Sequence, residues 1–377
     1  MREIAFFCTT AVLTAWGQVN GDAHAATSGK NAFVATPIAK FNEPWAMTFL
    51  PDGRLLVTEK RGALKVYAPG GTRGDVSGVP KVAYGGQGGF GDVALHPQFA
   101  TNHLVYLSYV ERGSDGTSGA AVARAKLTLN QQGGGALDTP QVIWRQEPKV
   151  TGQGHYGHRI VFDPDGHLWI SSSERQKFDP AQDMRTNLGK IVRLNDDGSV
   201  PADNPFASQG GVTAQIWSLG HRNVLGLAFD TQGRLFAQEM GPQGGDELNL
   251  IERGANYGYP IVSNGDHYDG RPIPDHNTRP EFKAPLVSWN PVISPAGLMI
   301  YSGKLFPQWR GNAFIGGLSS ESLVRIEING NEAREAERFD MGQRIREVEE
   351  GPDGAIWLLE DGRLFGGGRL LKLTPSS

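Results

Sequence analysis
The sequence predicts an all-β fold, a six-bladed β-propeller of four-stranded antiparallel blades. Three observations carry this: a recurring short phrase, a surplus of glycine, and no stretch that sustains helical periodicity. The 377 residues include 51 Gly and 23 Pro, together about a fifth of the chain against a usual share of about 12%. That stays below the roughly 25–30% of low-complexity chains, so the surplus reads as tight turns in a folded protein.

The phrase is an apolar or acidic residue, a turn ending in Gly, then a short apolar strand. It reads FLPDGRLLV at 49–57, FDPDGHLWI at 162–170, FDTQGRLFA at 229–237 and EGPDGAIWL at 350–358. Looser copies are LHPQF at 95–99 leading to LVYL at 104–107, and GKLFP at 303–307 leading to AFI at 313–315. Asp-Gly supplies the positive φ that hairpin turns need, and the apolar run forms a buried strand. Six copies, roughly 45 to 70 residues apart, predict six blades. A two-sheet sandwich is the alternative, disfavoured by strand number and repeat length. Residues 113–119 read as an exposed hairpin tip, and 196–212 and 264–280 as loops long enough to be functional.

At the N-terminus, Arg2 and Glu3 precede an apolar run from Ile4 to Gly17, and Ala23 and Ala25 form a small-x-small pattern. Residues 1–25 therefore read as a secretory signal peptide cleaved near Ala25, the alternative being an N-terminal extension. Residues 26–377 are expected to form one propeller domain, periplasmic or secreted. No run is long enough for a membrane span, so no stable membrane insertion is expected. The only cysteine is Cys8, inside the expected signal. The mature chain would then lack disulfides, a Cys nucleophile, thiolate metal sites and covalent haem. Lys and Arg number 36 against 40 Asp and Glu, a balance that argues against nucleic acid as a partner.

Five segments offer chemistry. His155 lies among glycines just before a repeat strand, and that strand returns to Glu174. A carboxylate at the far end of a hairpin can come back to such a His and serve it as a general base; a loop His is equally a hydrogen-bonded turn residue. His221-Arg222-Asn223 also precedes a repeat strand, offering planar donors to carboxylates or a blade-edge salt bridge. Residues 238–249 are glycine-rich after their strand, and exposed carbonyls suit a hard cation such as Ca²⁺, although no EF-hand pattern is present. Arg344 and Arg346, two apart on an extended segment, face one side and suit a polyanion. Gln87 sits in a glycine run, 84–92, that lacks the G-K-[ST] of a phosphate loop.

Taken in order, the segments resemble the soluble quinoprotein sugar dehydrogenases, the glucose/sorbosone dehydrogenase-like family that uses pyrroloquinoline quinone (PQQ) and Ca²⁺. The phrases that carry the resemblance are GGQGGFGDVALHPQF (85–99), GHYGHRIVFDPDG (154–166), GKIVRLNDDGSVPADNPF (189–206), SLGHRNVLGLAFD (218–230), QEMGPQGGDELNLIERGANYGYP (238–260) and GQRIREVEEGPDG (342–354). The similarity spans about 44–373 and is greater to the broad-range aldose branch than to the glucose-specific one. It implies that His155 is the base for the anomeric hydroxyl of an aldose while hydride passes from C1 to C5 of the quinone. Gln87, His155, Arg222, Asn223, Arg344 and Arg346 fall on groups that contact PQQ, and Arg222 would also stabilise developing negative charge. The carbonyls of Gly241 and Pro242 fall on Ca²⁺ ligands, with the ion a Lewis acid. Two departures stand out. The partner of the base is usually Asp and here is Glu174, and a lysine that contacts PQQ in some members falls on Ser319.

The reading is a periplasmic aldose dehydrogenase forming lactones and passing electrons to an external acceptor, as a monomer. Competing readings are a Ca²⁺-dependent sugar lactonase and a non-catalytic carbohydrate-binding propeller using loop aromatics such as Trp289 and Tyr259.

Overall fold
The computed structural model describes residues 32–131, 133–362 and 367–376; the expected signal peptide lies outside them. Six four-stranded antiparallel blades surround an axis. Their innermost strands are Pro44–Phe49, Phe90–Leu95, Gly157–Phe162, Val224–Phe229, Pro295–Ile300 and Ile345–Glu350, in blades one to six. Each packs on the next, and the sixth packs on the first, so the ring closes. Blades one and two also join through Gly135–Leu137, which pairs parallel with Arg73–Ser77. The outermost strand of blade six is Phe33–Phe41, pairing antiparallel with Gly368–Pro375. The repeat phrases gave no hint of this N-terminal closure.

Each phrase spans the turn from the first to the second strand of its blade. In the four strict copies the glycine is the residue with positive φ: Gly53 at 84°, Gly166 at 87°, Gly233 at 77° and Gly354 at 83°. The glycine N–H donates to the carbonyl three residues back, as from Gly166 to Asp163 at 3.0 Å, and Asp163 N donates on to His167 O at 3.0 Å. This is a type I turn followed by a left-handed residue. Gln232-Gly233 serves as well as Asp-Gly because the glycine alone must be left-handed.

The core lies between blades. Alternate residues of a strand face opposite neighbours: Leu56 packs with Phe90, Val105 and Leu107 of blade two, while Leu55 and Val57 pack with Leu359 and Leu370 of blade six. Burying each such side chain is worth roughly 1.5–3 kcal/mol. Similar clusters fill the other four interfaces.

The Asp-Gly turns lie on what we call the lower face; the first strands begin on the upper face. Every innermost strand breaks register at its upper end, between Pro44 and Ala46, Phe90 and Val93, Gly157 and Ile160, Val224 and Gly226, Pro295 and Leu298, and Ile345 and Glu347. A bulge re-aims a side chain, and Trp45, His158, Leu225 and Arg346 at these breaks all line an upper cavity. The 264–280 loop reaches this face through Tyr268, whereas the 196–212 loop does not: Asp196, Asp197 and Ser199 line a lower-face cleft with the 163–167 turn. Of residues 113–119, expected as an exposed tip, 114–116 are exposed, but Ser118 and Gly119 are buried because they already belong to the strand Ser118–Leu129. Trp289 is no ligand platform. It is buried in the outermost strand of blade four, with Nε1 donating to Glu335 at 2.7 Å. No helix among the described residues is long and apolar enough to cross a membrane.

Candidate active site
His155 and Glu174 meet because the first hairpin of blade three returns its second strand, Leu168–Ser172, to the upper face. His155 Nδ1 is in a short hydrogen bond with Glu174 Oε1. Glu174 Oε2 accepts from the backbone N–H of Lys177 at 2.5 Å and of Phe178 at 2.8 Å. His155 N donates to Gln87 Oε1 at 2.8 Å, so the 84–92 loop also fixes the histidine. Burial, the largest influence, pushes the imidazole below its usual 6.5; the Glu174 hydrogen bond opposes this and the charges of Arg222 and Arg175 add to it. Burial alone would raise the Glu174 carboxyl, but the His155 and Phe178 hydrogen bonds and Arg222 together hold it below its usual 4.5. Both shifts describe one state: an ionised carboxylate accepting from a neutral imidazole N–H, with Nε2 left basic.

Arg222 and Asn223 sit at the head of the next blade. Glu239 grips this corner, its Oε1 2.9 Å from His221 Nδ1 and its Oε2 accepting from Arg222 N at 2.6 Å. Arg222 Nη1 donates to the carbonyls of Gly241 at 2.6 Å and Met240 at 3.0 Å, and Nη2 to the Tyr268 hydroxyl at 3.3 Å. The Gly241 carbonyl thus faces a cationic group. Asp246 shapes this turn, accepting from Gly241 N at 2.8 Å and, across the blade gap, from Ile293 N and Ser294 N at 2.8 and 2.7 Å. His155, Phe178, Arg222, Pro242, Tyr259 and Tyr268 line a cavity of about 230 Å³.

A second cavity, of about 190 Å³, lies toward the axis, lined by Trp45, Lys60, Gln87, His158, Arg344 and Arg346 among others. Arg344 Nε donates to Asp361 Oδ2 at 2.9 Å, and Arg346 Nη2 to Asp361 Oδ1 at 2.7 Å. Burial opposes ionisation of Asp361, but Arg346 and Arg344 outweigh it and hold its carboxyl far below the usual range. Burial drives His158 down to about 3, so this imidazole is neutral. Arg159 packs on the cavity-lining Trp45, 4.1 Å from its ring centroid, and is paired with Glu347. Beneath it a chamber of about 480 Å³ holds Asp92, Glu347 and Glu349, all pushed up mainly by burial, Glu347 to about 7. Ser319 is exposed and lines neither upper cavity.

The chain has counterparts among known proteins. Residues 41–372 match the family model described as glucose/sorbosone dehydrogenase. The chain belongs to that family. It is 39% identical over 345 residues to aldose sugar dehydrogenase YliI of Escherichia coli K12, covering 89% of this chain and 91% of that protein. The apo crystal structure of the soluble E. coli aldose sugar dehydrogenase matches with a TM-score of 0.85 and 37% identity, over 91% of this chain and all of that one. A PQQ-bound aldose sugar dehydrogenase of Streptomyces coelicolor matches with a TM-score of 0.73 and 28% identity, over 91% of this chain and 98% of that one.

The structure also brings in residues that the sequence reading missed: Lys60, Glu239, Asp246 and Asp361. A signal for three of them was present. The second strands of blades one, four and six each reach a buried glutamate six residues after the turn glycine: Glu59, Glu239 and Glu360. Lys60 and Asp361 immediately follow two of these. The triad Asp163, Asp165 and His167, whose ligand atoms lie within 4.8 Å of one another, is in a lower-face turn and does not belong to this site.

Proposed function
We propose that this protein oxidises aldoses at C1 to lactones, with PQQ and Ca²⁺ bound at the upper face. The observation that carries this is the juxtaposition of a Glu174-held, neutral His155 with Arg222 and, one cavity inward, Arg344 and Arg346. The residues fit such a cofactor. Arg222 Nε and Asn223 Oδ1 are buried without hydrogen-bond partners, a donor and an acceptor of the kind a ligand satisfies. The paired arginines suit a tricarboxylate. The carbonyls of Gly241 and Pro242 are of the type a hard cation accepts.

When bound, PQQ supplies a quinone that accepts hydride, and Ca²⁺ polarises it. The chain does the rest. His155 Nε2 takes the proton of the anomeric hydroxyl, and the Glu174 carboxylate stabilises the imidazolium that results. Arg222 offsets negative charge that develops beside it. Tyr259 and Tyr268 wall the cavity on the sugar side. Gln87 fixes the His155 backbone. Electrons pass to an external acceptor; the enzyme works as a monomer, exported after removal of residues 1–25, with the remainder one catalytic domain.

A Ca²⁺-dependent lactonase would need carboxylates and amides at the upper axis, where this chain has Lys60, Arg344 and Arg346. Purified apoprotein, given PQQ, Ca²⁺, an aldose and an electron-accepting dye, is expected to reduce the dye. No reduction with any of several aldoses, together with no PQQ binding, would sink the proposal. His155→Ala should keep PQQ affinity within a fewfold and lose at least about 100-fold in turnover; retained turnover removes His155 from the base role.

A further inference from the structure
We infer that Lys60 is a cofactor-binding residue, its ammonium joining Arg344 and Arg346 in holding the carboxylates of PQQ. This rests on the PQQ reading above and adds a residue to it. Lys60 is 6% exposed, yet it lines the inner cavity together with both arginines. A lysine this deep is rare without a charge-based role, because losing water costs the ammonium heavily.

Its placement is built. Lys60 N donates to Glu43 O at 3.0 Å, and its carbonyl accepts from Phe90 N at 2.9 Å. The 84–90 loop presses so close that a Cβ on Gly89 would lie 2.3 Å from Lys60 O. Only glycine allows that approach, and Gly89 has φ of 132°. Nζ donates to Gly86 O at 3.0 Å and lies 5.7 Å from the Tyr84 ring centroid. The ammonium is thereby held at the cavity wall beside Gln87.

Charge gives the reason for it. Arg344 and Arg346 share the one carboxylate of Asp361, so the two together offer a net charge of one. PQQ carries three carboxylates. Lys60 brings a third cationic group to the same cavity. It also answers the departure at Ser319, whose hydroxyl donates to Val292 O at 3.4 Å, outside the cavity. The cation comes from blade one instead of blade five. Lys60 occupies the same repeat position as Met240, one residue past the buried glutamate, and Met240 lines the same cavity.

The test is an equilibrium titration of apoprotein with PQQ at fixed Ca²⁺, followed by quenching of tryptophan fluorescence and repeated from low to high KCl. Wild type is expected to bind, with affinity falling as salt rises. Lys60→Met should bind about tenfold more weakly, with a flatter salt dependence, and Lys60→Arg should stay within about threefold of wild type. Lys60→Gln keeps a donor for Gly86 O while losing the charge, and serves if Lys60→Met melts early; it should behave as Lys60→Met. If wild type binds and both neutral variants match it in affinity and salt dependence, the inference is overturned while the PQQ reading stands. If all three variants weaken equally with an unchanged salt dependence, Lys60 only holds the loop, and the inference is again overturned. If wild type itself does not bind PQQ, both fall.

Discussion
A histidine whose Nδ1–H is held by an ionised carboxylate has only Nε2 left to take a proton. At His155 the groups that face the ring set when it can do so: Glu174 favours the imidazolium, while burial, Arg222 and Arg175 oppose it, and the opposition wins. A pKa below 6.5 means the ring is a free base above that value and is lost as a base when pH falls through it. The acid limb of kcat/KM should therefore lie below pH 6.5, with a plateau above. Glu174→Gln removes the group that raises the pKa and leaves those that lower it. Its acid limb should move to still lower pH, and turnover should drop on the order of 100-fold, because the imidazolium loses its counter-ion. A pH–rate profile checks both; an unmoved limb would show that Glu174 does not act on His155. The pairing itself was legible in the sequence, since a hairpin must return its second strand beside its first. The ionisation order was not, because Arg175 and Arg222 reach the pair through backbone turns that leave no local pattern.

At the scale of the strand pair, each blade divides its labour between two ends. In blade three the lower end is a glycine turn with open space beside it: a Cβ added at Gly166 would meet nothing within 4 Å. The upper end is a register break that aims Trp45, His158, Leu225 or Arg346 at the cavity. Gly166→Ala thus tests backbone strain alone. It should cost about 1 kcal/mol in urea unfolding and leave PQQ affinity unchanged, the turn being on the face away from the site. A weakened affinity would mean that turn strain reaches the upper end through the strands. The turns were readable because their chemistry is local to five residues. Most of the breaks were not: a bulge is defined by the partner strand, and nothing in PWAMTF alone marks one. The same limit hid Asp246, whose three backbone donors come from 241, 293 and 294.

A ring of blades needs every interface filled, and the last is filled only when the chain's two ends meet. Phe41 belongs to the apolar cluster between blades six and one, with Ile38 and Ala39 packed against it, and Phe33–Phe41 covers the edge of Gly368–Pro375. The pairing links residues more than 300 positions apart, which is why six readable phrases did not disclose it. Two rearrangements separate the strand's contribution from the chain's order. A chain that begins after Phe41 leaves Gly368–Pro375 as a bare edge, which invites edge-to-edge association. It should lose its cooperative melt or aggregate on purification. A circular permutant keeps every strand: Phe33 pairs with Pro375, so a short Gly/Ser linker joins the old ends, and the new ends fall in the exposed tip at 114–115. The tip is closed by Gly113 N to Thr117 O at 2.9 Å, and none of residues 113–117 lines either upper cavity. The permutant should melt cooperatively within about 5 °C of the parent and bind PQQ as the parent does. If the truncated chain melts like the parent, the N-terminal strand is not what closes the ring. If the permutant fails while the parent folds, closure depends on the order in which blades form, and the non-covalent seam cannot be moved from blade six to blade two.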